Sequence, residues 1–147
     1  MEAMTEQSRT SPEGAWLEWR EEFDLGIPLI DFQHRKLLGV IGRIHDVALK
    51  AACLQDCLEA DIHGLLYDLS VYARVHFSDE EEEFAKLGRP LDSGHLAGHD
   101  AFLEKIADGS MRLIEGRTPD MLSCAEFLKI WWLGHVLDED RKAAGKA

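Results

Sequence analysis

Hydrophobic residues recur every three or four positions over most of the chain, the spacing that places them on one face of an α-helix. In the first such stretch, the residues on this face are Ile30, His34, Leu37, Leu38, Ile41, Ile44 and His45. Proline is favourable in the first turn of a helix, and a start of this kind stands at Gly26-Ile27-Pro28. The pattern therefore predicts a long first helix that begins near Pro28 and ends near Cys53.

Two more helices are predicted by the same spacing further along the chain. The second begins near Leu58 and ends at Gly88-Arg89-Pro90, because proline rarely continues a helix. The third follows the candidate caps Asp92 and Ser93 and ends near Gly116. The short segment between these helices favours neighbours that run in opposite directions.

The fourth helix is predicted from near Pro119 towards Asp140, and no stretch alternates for long in the manner of a β-strand. Four long helices with short connections favour an antiparallel up-down-up-down bundle. The expected fold class is therefore all-α, a four-helix bundle with an irregular N-terminal arm. The aromatic residues of this arm that are expected to pack onto the bundle are Trp16, Trp19 and Phe23.

The chain is expected to consist of one domain behind a flexible leader. Residues 1–15 are rich in Ser, Thr, Pro, Gly and Glu and lack apolar periodicity, which is typical of a flexible segment. Residues 16–147 are expected to form the domain, since 147 residues with 46% hydrophobic content suit a single core. We expect a monomer.

The charge of the chain limits its partners. Asp and Glu number 28 against 16 Lys and Arg, which gives a formal net charge of -12. This charge repels phosphate backbones and anionic lipids, so neither nucleic acid nor a membrane is an expected partner. The sequence shows no secretion signal and no run near the ~20 apolar residues that cross a bilayer. Three cysteines without a CxxC pair argue against a disulfide framework, and a cytoplasmic protein is expected.

Histidine is frequent on the predicted apolar faces. His76 and Glu80 stand four residues apart, as do His95 and His99, and His34 lies on the face of the first helix. Four residues turn an α-helix by ~400°, so both members of each pair share one face. Buried imidazoles and carboxylates are costly without partners, and joint coordination of a metal would satisfy them all.

The fourth helix also offers two donors, His135 and Asp140, which stand five residues apart. In a straight α-helix this spacing rotates the second side chain ~140° away from the first. A site that contains both therefore requires a widened or terminating turn. His45 and His63 lie three to four turns from His34 and His76 on their own helices, so they are not expected in the same site.

Four stretches, in the same order, resemble motifs of the hemerythrin family in its single-domain bacterial form. They are LGIPLIDFQHRKL at residues 25–37, HFSDEE at residues 76–81, the HxxxH pair of His95 and His99, and the WxxxHxxxxD ending from Trp131 through His135 to Asp140. Each motif alone is weak, but four at separations that suit a bundle form a specific signal. The resemblance covers roughly residues 16–142 and implies a hemerythrin-like di-iron domain.

The resemblance also implies a set of site residues and a cofactor. The implied ligands are His95, His99 and His135 for one iron, His34 and His76 for the second, and Glu80 and Asp140 as bridges between the two. The two iron ions would be joined by an oxo or hydroxo bridge, with dioxygen as the exogenous ligand. The implied oxygen pocket contains Trp131 and Trp132, and Trp132 stands where most relatives have leucine.

The function implied by the resemblance is reversible dioxygen binding, for storage or for delivery to an oxygen-consuming enzyme. No enzymatic activity is expected beyond minor oxidase or peroxidase turnover. Alternatives are an oxygen or redox sensor that acts through a partner, a di-iron peroxidase or nitric oxide reductase, and a bundle that binds adventitious zinc or no metal. Ferritin-like carboxylate chemistry is disfavoured because such bundles use Glu-x-x-His pairs, which this chain lacks.

Overall fold

The structure is a computed structural model that describes residues 16–54, 59–117 and 120–146. Within these ranges it contains four long helices: α1 (Pro28–Leu54), α2 (Glu59–Lys86), α3 (Ser93–Ile114) and α4 (Asp120–Gly134). The predicted order and approximate bounds of the helices are confirmed. The predicted leader, residues 1–15, lies outside the described residues.

The helices form a bundle in which each packs against the next along the chain, and α4 also packs against α1. Short connections between consecutive helices make them run alternately up and down. No strand occurs in the part of the chain that the structure describes. The predicted all-α fold with up-down-up-down topology is therefore confirmed.

The helix ends carry the caps that the sequence indicates. Asp92 is the N-cap of α3, and its carboxylate accepts a hydrogen bond of 2.8 Å from the backbone N–H of His95. At the ends of α2 and α3, Gly88 and Gly116 have φ angles of 75° and 77°. Because glycine adopts this left-handed conformation at little cost, both helices stop there.

The core of the bundle is divided by a layer of polar side chains. The main apolar cluster includes Leu37, Ile41, Ala73, Phe102 and Leu128. A smaller cluster at the other end of the bundle consists of Leu25, Ile30 and Phe84. Residues 34, 76 and 80 lie between these clusters along α1 and α2, so apolar side chains close the polar layer on both sides.

Helix α4 continues into one wide turn. Residues His135–Asp140 form a π-helical turn, and a final short helical segment, Arg141–Ala143, follows. A π turn takes one more residue than an α turn, so residues five apart reach the same face. This is the widened turn that the spacing of His135 and Asp140 required.

The N-terminal arm packs onto the bundle as expected. Trp16 stacks on His45 of α1, with ring centroids 3.9 Å apart and an interplanar angle of 7°. Phe23, at the end of a 3-10 turn (Glu21–Phe23), meets Trp132 of α4 edge to face at 5.0 Å. Arg141 donates a hydrogen bond of 2.8 Å to the carbonyl oxygen of Glu22. The arm is thus held by contacts with α1, α4 and the C-terminal segment.

Among the described helices, none combines the length and the apolar content that spanning a bilayer requires.

Candidate metal centre

Seven buried polar side chains meet in the polar layer of the bundle. They are His34, His76, Glu80, His95, His99, His135 and Asp140, each with at most 6% of its surface exposed. Helix α1 contributes one, α2 and α3 contribute two each, and the π turn contributes the last two. These are the seven residues that the resemblance of the motifs implied as ligands, and the structure brings all of them together.

Three of the histidines converge through their Nε2 atoms. The Nε2 atom of His135 lies 3.1 Å from that of His95 and 3.1 Å from that of His99. Two nitrogens bound at right angles to one metal ion, each at about 2.1 Å, stand about 3.0 Å apart. We call His95, His99 and His135 the histidine trio. Its spacing is that of donors around a single ion.

The other two histidines form a second group, the histidine pair, made of His34 on α1 and His76 on α2. Their ring centroids are 4.7 Å apart. Both Nε2 atoms face the same oxygen, Oε2 of Glu80, at 3.5 Å from His34 and 3.4 Å from His76. His34, His76 and Glu80 together could hold a metal ion, as could the trio with Glu80 and Asp140.

Glu80 stands between the two groups of histidines. Its Oε1 atom faces the trio, at 2.9 Å from Nε2 of His99 and 3.4 Å from Nε2 of His95. Its Oε2 atom faces the pair. One carboxylate thereby presents a separate oxygen to each group.

Asp140, in the π turn, also presents one carboxylate oxygen to each group of histidines. Its Oδ1 atom lies 2.9 Å from Nε2 of His95 and 3.2 Å from Nε2 of His135, both in the trio. Its Oδ2 atom lies 3.2 Å from Nε2 of His34, in the pair. The two carboxylates therefore connect two sets of donors rather than belonging to one.

Several atoms of this cluster are buried without a hydrogen-bond partner, which tests whether a metal fits. They include Nε2 of His34, both carboxylate oxygens of Glu80 and Oδ2 of Asp140. Buried polar atoms in native proteins nearly always have a partner, and a lone pair that lacks one carries a desolvation cost. A metal ion among these atoms would satisfy each of them. The donor set, five imidazoles with two carboxylates, suits first-row transition metals.

The electrostatics of the cluster show how strongly its charges depend on one another. Burial alone would lower the pKa of His34 and of His95, but contacts with Asp140 and Glu80 raise them to about 9 and about 10. Burial alone would raise the pKa of Glu80, yet the surrounding histidines hold it well below its usual range. The carboxylates are therefore anionic, and in the absence of a metal, protons on the histidines balance them.

Gln33 orients one of the predicted ligands, a role that the sequence reasoning missed. Its Nε2 group donates a hydrogen bond of 2.8 Å to Asp79, which leaves its Oε1 atom facing His76. The Nδ1–H of His76 donates to that Oε1 atom at 2.7 Å. This fixes the tautomer of His76 with the Nε2 lone pair directed at Glu80. The signal available in the sequence was the position of Gln33 immediately before His34.

A small cavity of about 10 Å³ adjoins the centre. It is lined by His34, Leu37, His76, Phe77, Phe102, Trp131, Trp132, His135 and Val136. The two tryptophans predicted to line an oxygen pocket are both in this wall. Trp131 also stacks on His135, with ring centroids 4.3 Å apart. Trp132 and His34 meet edge to face, with ring centroids 6.0 Å apart.

The remaining candidates lie elsewhere. His45 stacks under Trp16, and His63 is exposed on α2. The carboxylate of Asp31 accepts hydrogen bonds from the backbone N–H groups of Leu25 and Gly26. It therefore holds the segment that precedes α1 rather than contacting the centre. Cys53 and Cys57 stand one helical turn apart in the sequence, but the side chain of Cys53 and the whole of Cys57 lie outside what the structure describes.

The fold and the centre define a class: a four-helix bundle with a metal-binding layer of histidines and carboxylates. The family model described as "Hemerythrin HHE cation binding domain" matches residues 25–147. The chain belongs to the hemerythrin family. The resemblance seen in its four motifs is confirmed.

Relatives over most of the chain agree with this assignment. A bacteriohemerythrin of Clostridium acetobutylicum is 30% identical over 125 residues, which cover 84% of this chain and 95% of the relative. A bacteriohemerythrin of Stenotrophomonas maltophilia is 26% identical over 131 residues, 88% of this chain and 80% of the relative. A hemerythrin-like protein of Naegleria gruberi is 24% identical over 133 residues, 86% of this chain and 90% of the relative. The comparison with solved structures found no match.

Proposed function

We propose that the chain binds two iron ions through the seven side chains of the centre. One ion is bound by the histidine trio, the other by the histidine pair, and Glu80 and Asp140 bridge them. The observation that carries this proposal is the split of each carboxylate, with one oxygen towards the trio and the other towards the pair. A mononuclear site would not need a separate oxygen for each group of histidines.

We further propose that the centre binds dioxygen reversibly, for storage or for delivery to an oxygen-consuming enzyme. The two sets of donors are unequal: the trio with both carboxylates offers five, whereas the pair with both carboxylates offers four. The set with fewer donors leaves room for an exogenous ligand, and both members of the pair line the small cavity. Iron bound there would supply a ferrous ion that can bind dioxygen and donate electrons to it.

The surrounding residues favour binding over turnover. The wall of the cavity is mainly apolar and aromatic, including Leu37, Phe77, Phe102 and Val136. A dry wall keeps water and larger reductants away from the ligand, so the ligand can leave unchanged. The apolar clusters on both sides of the centre have the same effect along the axis of the bundle.

The proposed stoichiometry is tested by metal analysis of variants prepared with iron in excess. The wild type should contain two iron ions per chain. His76→Ala should retain about one, because the trio is intact, whereas Glu80→Ala should lose most of both, because its carboxylate serves both sets. His63→Ala, an exposed histidine on the same helix, is the matched control and should retain two. One iron in the wild type, or two in Glu80→Ala, would contradict the bridged di-iron centre.

The proposed ligand is tested by optical titration of the anaerobically reduced, iron-loaded protein. Exposure to oxygen should produce visible absorption, and removal of oxygen under vacuum should abolish it over repeated cycles. Absence of a reversible change would exclude the carrier function. Steady turnover of hydrogen peroxide or nitric oxide with a reductant, faster than autoxidation, would show that the protein is an enzyme rather than an oxygen carrier.

A further inference from the structure

Trp132 is a fully buried indole with an unused hydrogen-bond donor. Its side chain is 1% exposed and lies between Phe23 of the arm and His34 of the pair, in edge contact with both rings. Its Nε1 atom is buried and has no hydrogen-bond partner in the described structure. A buried N–H group without an acceptor is rare in native proteins, and a water molecule or a ligand can supply the acceptor.

The same side chain forms part of the wall of the small cavity beside the centre. Of the nine residues in that wall, five are Leu37, Phe77, Phe102, Val136 and Trp131, and three are histidines of the centre. The volume of about 10 Å³ corresponds to roughly one water-sized molecule. The wall of the cavity thus includes both histidines of the pair and Trp132.

Most other groups in the wall do not offer this donor, although Nδ1 of His34 is also buried without a hydrogen-bond partner. The Nε2 atoms of His34, His76 and His135 face the carboxylates and belong to the centre. The Nδ1–H of His76 is already used by Gln33. The indole of Trp132 therefore combines an unused N–H group with a position against the cavity.

We propose that the Nε1–H of Trp132 donates a hydrogen bond to the outer atom of a small ligand held in this cavity. This inference rests on the proposed function, because the inner atom of the ligand is taken to bind the iron of the histidine pair. The ligands that this contact suits are small molecules whose free end is a hydrogen-bond acceptor: dioxygen is the proposed ligand, and the azide anion serves as its probe. The hydrogen bond makes Trp132 a determinant of ligand affinity and not only a filler of the wall.

The decisive comparison removes the N–H group and keeps the shape of the side chain. Incorporation of 3-benzothienylalanine at position 132 replaces the ring N–H by sulfur and leaves the two fused rings in place. In the iron-loaded oxidised protein, the dissociation constant of azide should rise about fivefold to tenfold, the usual effect of losing one hydrogen bond. The same replacement at Trp19, which contacts Phe23 in the arm but does not line the cavity, is the matched control and should leave azide affinity unchanged.

A vibrational measurement tests the contact itself. With azide bound to the wild type, transfer from H2O to D2O should shift the azide stretching band, because the donor proton of the indole is exchanged. The variant with benzothienylalanine at position 132 should show no such shift. In parallel, the ultraviolet resonance Raman band that reports indole N–H bonding should move on azide binding in the wild type and in the position 19 control.

The outcomes separate this inference from the function on which it rests. If azide binds the wild type and the position 132 variant with equal affinity and without a D2O shift in either, the inference is wrong and the iron centre stands. If the indole band already reports a hydrogen bond in the ligand-free protein and does not change with azide, the partner is a resident water molecule and the inference is also wrong. If the iron-loaded wild type binds neither azide nor dioxygen, the proposed function fails first.

Discussion

Gln33 shows, at the level of single residues, how a side chain outside the cluster fixes the direction of a ligand inside it. Its amide is held at one end by Asp79 and accepts the Nδ1–H of His76 at the other. Without it, the ring of His76 could rotate and would need another acceptor in the buried interior. We therefore expect this residue to contribute to metal affinity without being a ligand itself.

Gln33→Leu should lower the affinity for Fe(II) by about 10- to 100-fold, because the ring of His76 loses the partner that sets its orientation and tautomer. The measurement is an anaerobic competition titration against a coloured chelator. Asp79→Asn is the control: its amide oxygen can still accept the hydrogen bond from Gln33, so affinity should change little. Equal affinities in Gln33→Leu and the wild type would show that the hydrogen bond has no influence on binding.

The charges of the centre also make the stability of the metal-free protein depend on pH. His34 and His95 have raised pKa values of about 9 and about 10, against 6.5 in the unfolded chain. Their contribution to the stability of the metal-free protein is complete below pH 6.5 and is lost as the pH rises through those pKa values. The pKa of Glu80 is lowered from 4.5, so its contribution is complete above that pH and is lost as the pH falls. The lowered pKa of His76, caused mainly by burial, acts against the first trend.

We therefore expect the melting temperature of the metal-free protein to be highest between pH 4.5 and pH 6.5 and to decrease steadily up to pH 10. In the iron-loaded protein the ligand histidines are already deprotonated, so the decrease on the alkaline side should disappear. Thermal unfolding followed by circular dichroism across this range checks both statements. A flat profile for the metal-free protein would mean that the histidines carry no protons there.

At the level of elements, the contact between α3 and α4 depends on one glycine. Gly109 is buried, and a Cβ atom added to it would stand 2.9 Å from Sγ of Cys124 on α4. This is closer than real Cβ atoms approach other atoms, so the two helices would have to separate or Cys124 would have to move. The close packing of this helix pair thus requires the absence of a side chain at position 109.

Gly109→Ala should destabilise the bundle by about 1–3 kcal/mol, measured by guanidinium unfolding, because the added methyl group overpacks the interface between the helices. Gly64→Ala on α2 is the control: an added Cβ meets nothing within 4 Å, so the variant should gain about 0.5–1 kcal/mol from helix propensity. In a Gly109→Ala/Cys124→Ala double variant most of the loss should be recovered. A stable single variant would rule out this steric explanation.

The sequence alone predicted the elements well because their signals are local. The Asp92 cap, the glycines at 88 and 116 and the proline at 28 each act within one turn, and the structure begins and ends its helices at or near them. The π turn itself could not be predicted from a local signal. Its need followed only from the five-residue spacing of His135 and Asp140, which in a regular α-helix would not place both side chains on one face.

Contacts between separate helices were beyond the reach of the sequence pattern. The link from Gln33 to His76 crosses from α1 to α2, and the stacking of Trp16 on His45 joins the arm to α1. Such contacts depend on side-chain rotamers and on how the helices are rotated against each other, and periodicity gives only the buried face. The unpaired donor of Trp132 could not be predicted for the same reason.

At the level of the whole molecule, the metal centre and the stability of the bundle are coupled. The centre lies between two apolar clusters and takes its residues from α1, α2, α3 and the π turn that follows α4, so its charges are removed from water only when the whole bundle has assembled. A metal that binds the folded chain and not the unfolded one stabilises the fold by mass action. The apolar clusters remain in its absence, so the metal-free chain should stay folded but less stable.

Removal of iron by a chelator under reducing conditions should lower the free energy of unfolding by at least about 3 kcal/mol, the effect of a ligand present at more than 100 times its dissociation constant. Chemical unfolding of the loaded and metal-free protein, with and without added Fe(II), measures the difference. Glu80→Ala, which should bind little iron, is the matched control and should respond weakly to the chelator. Equal stability of the two wild-type forms would separate folding from metal binding.

The wide turn at residues 135–140 has a consequence for how this chain tolerates change. The π turn contains one residue more than an α-helical turn. The position of Asp140 and the hydrogen bond from Arg141 to Glu22 therefore depend on the number of residues in this turn. An insertion or deletion would swing everything downstream around the helix axis and release the arm. Exposed positions within the turn, such as Asp138 and Glu139, can vary in identity with little penalty. Selection on this segment should therefore conserve its length more strictly than the identity of its exposed residues.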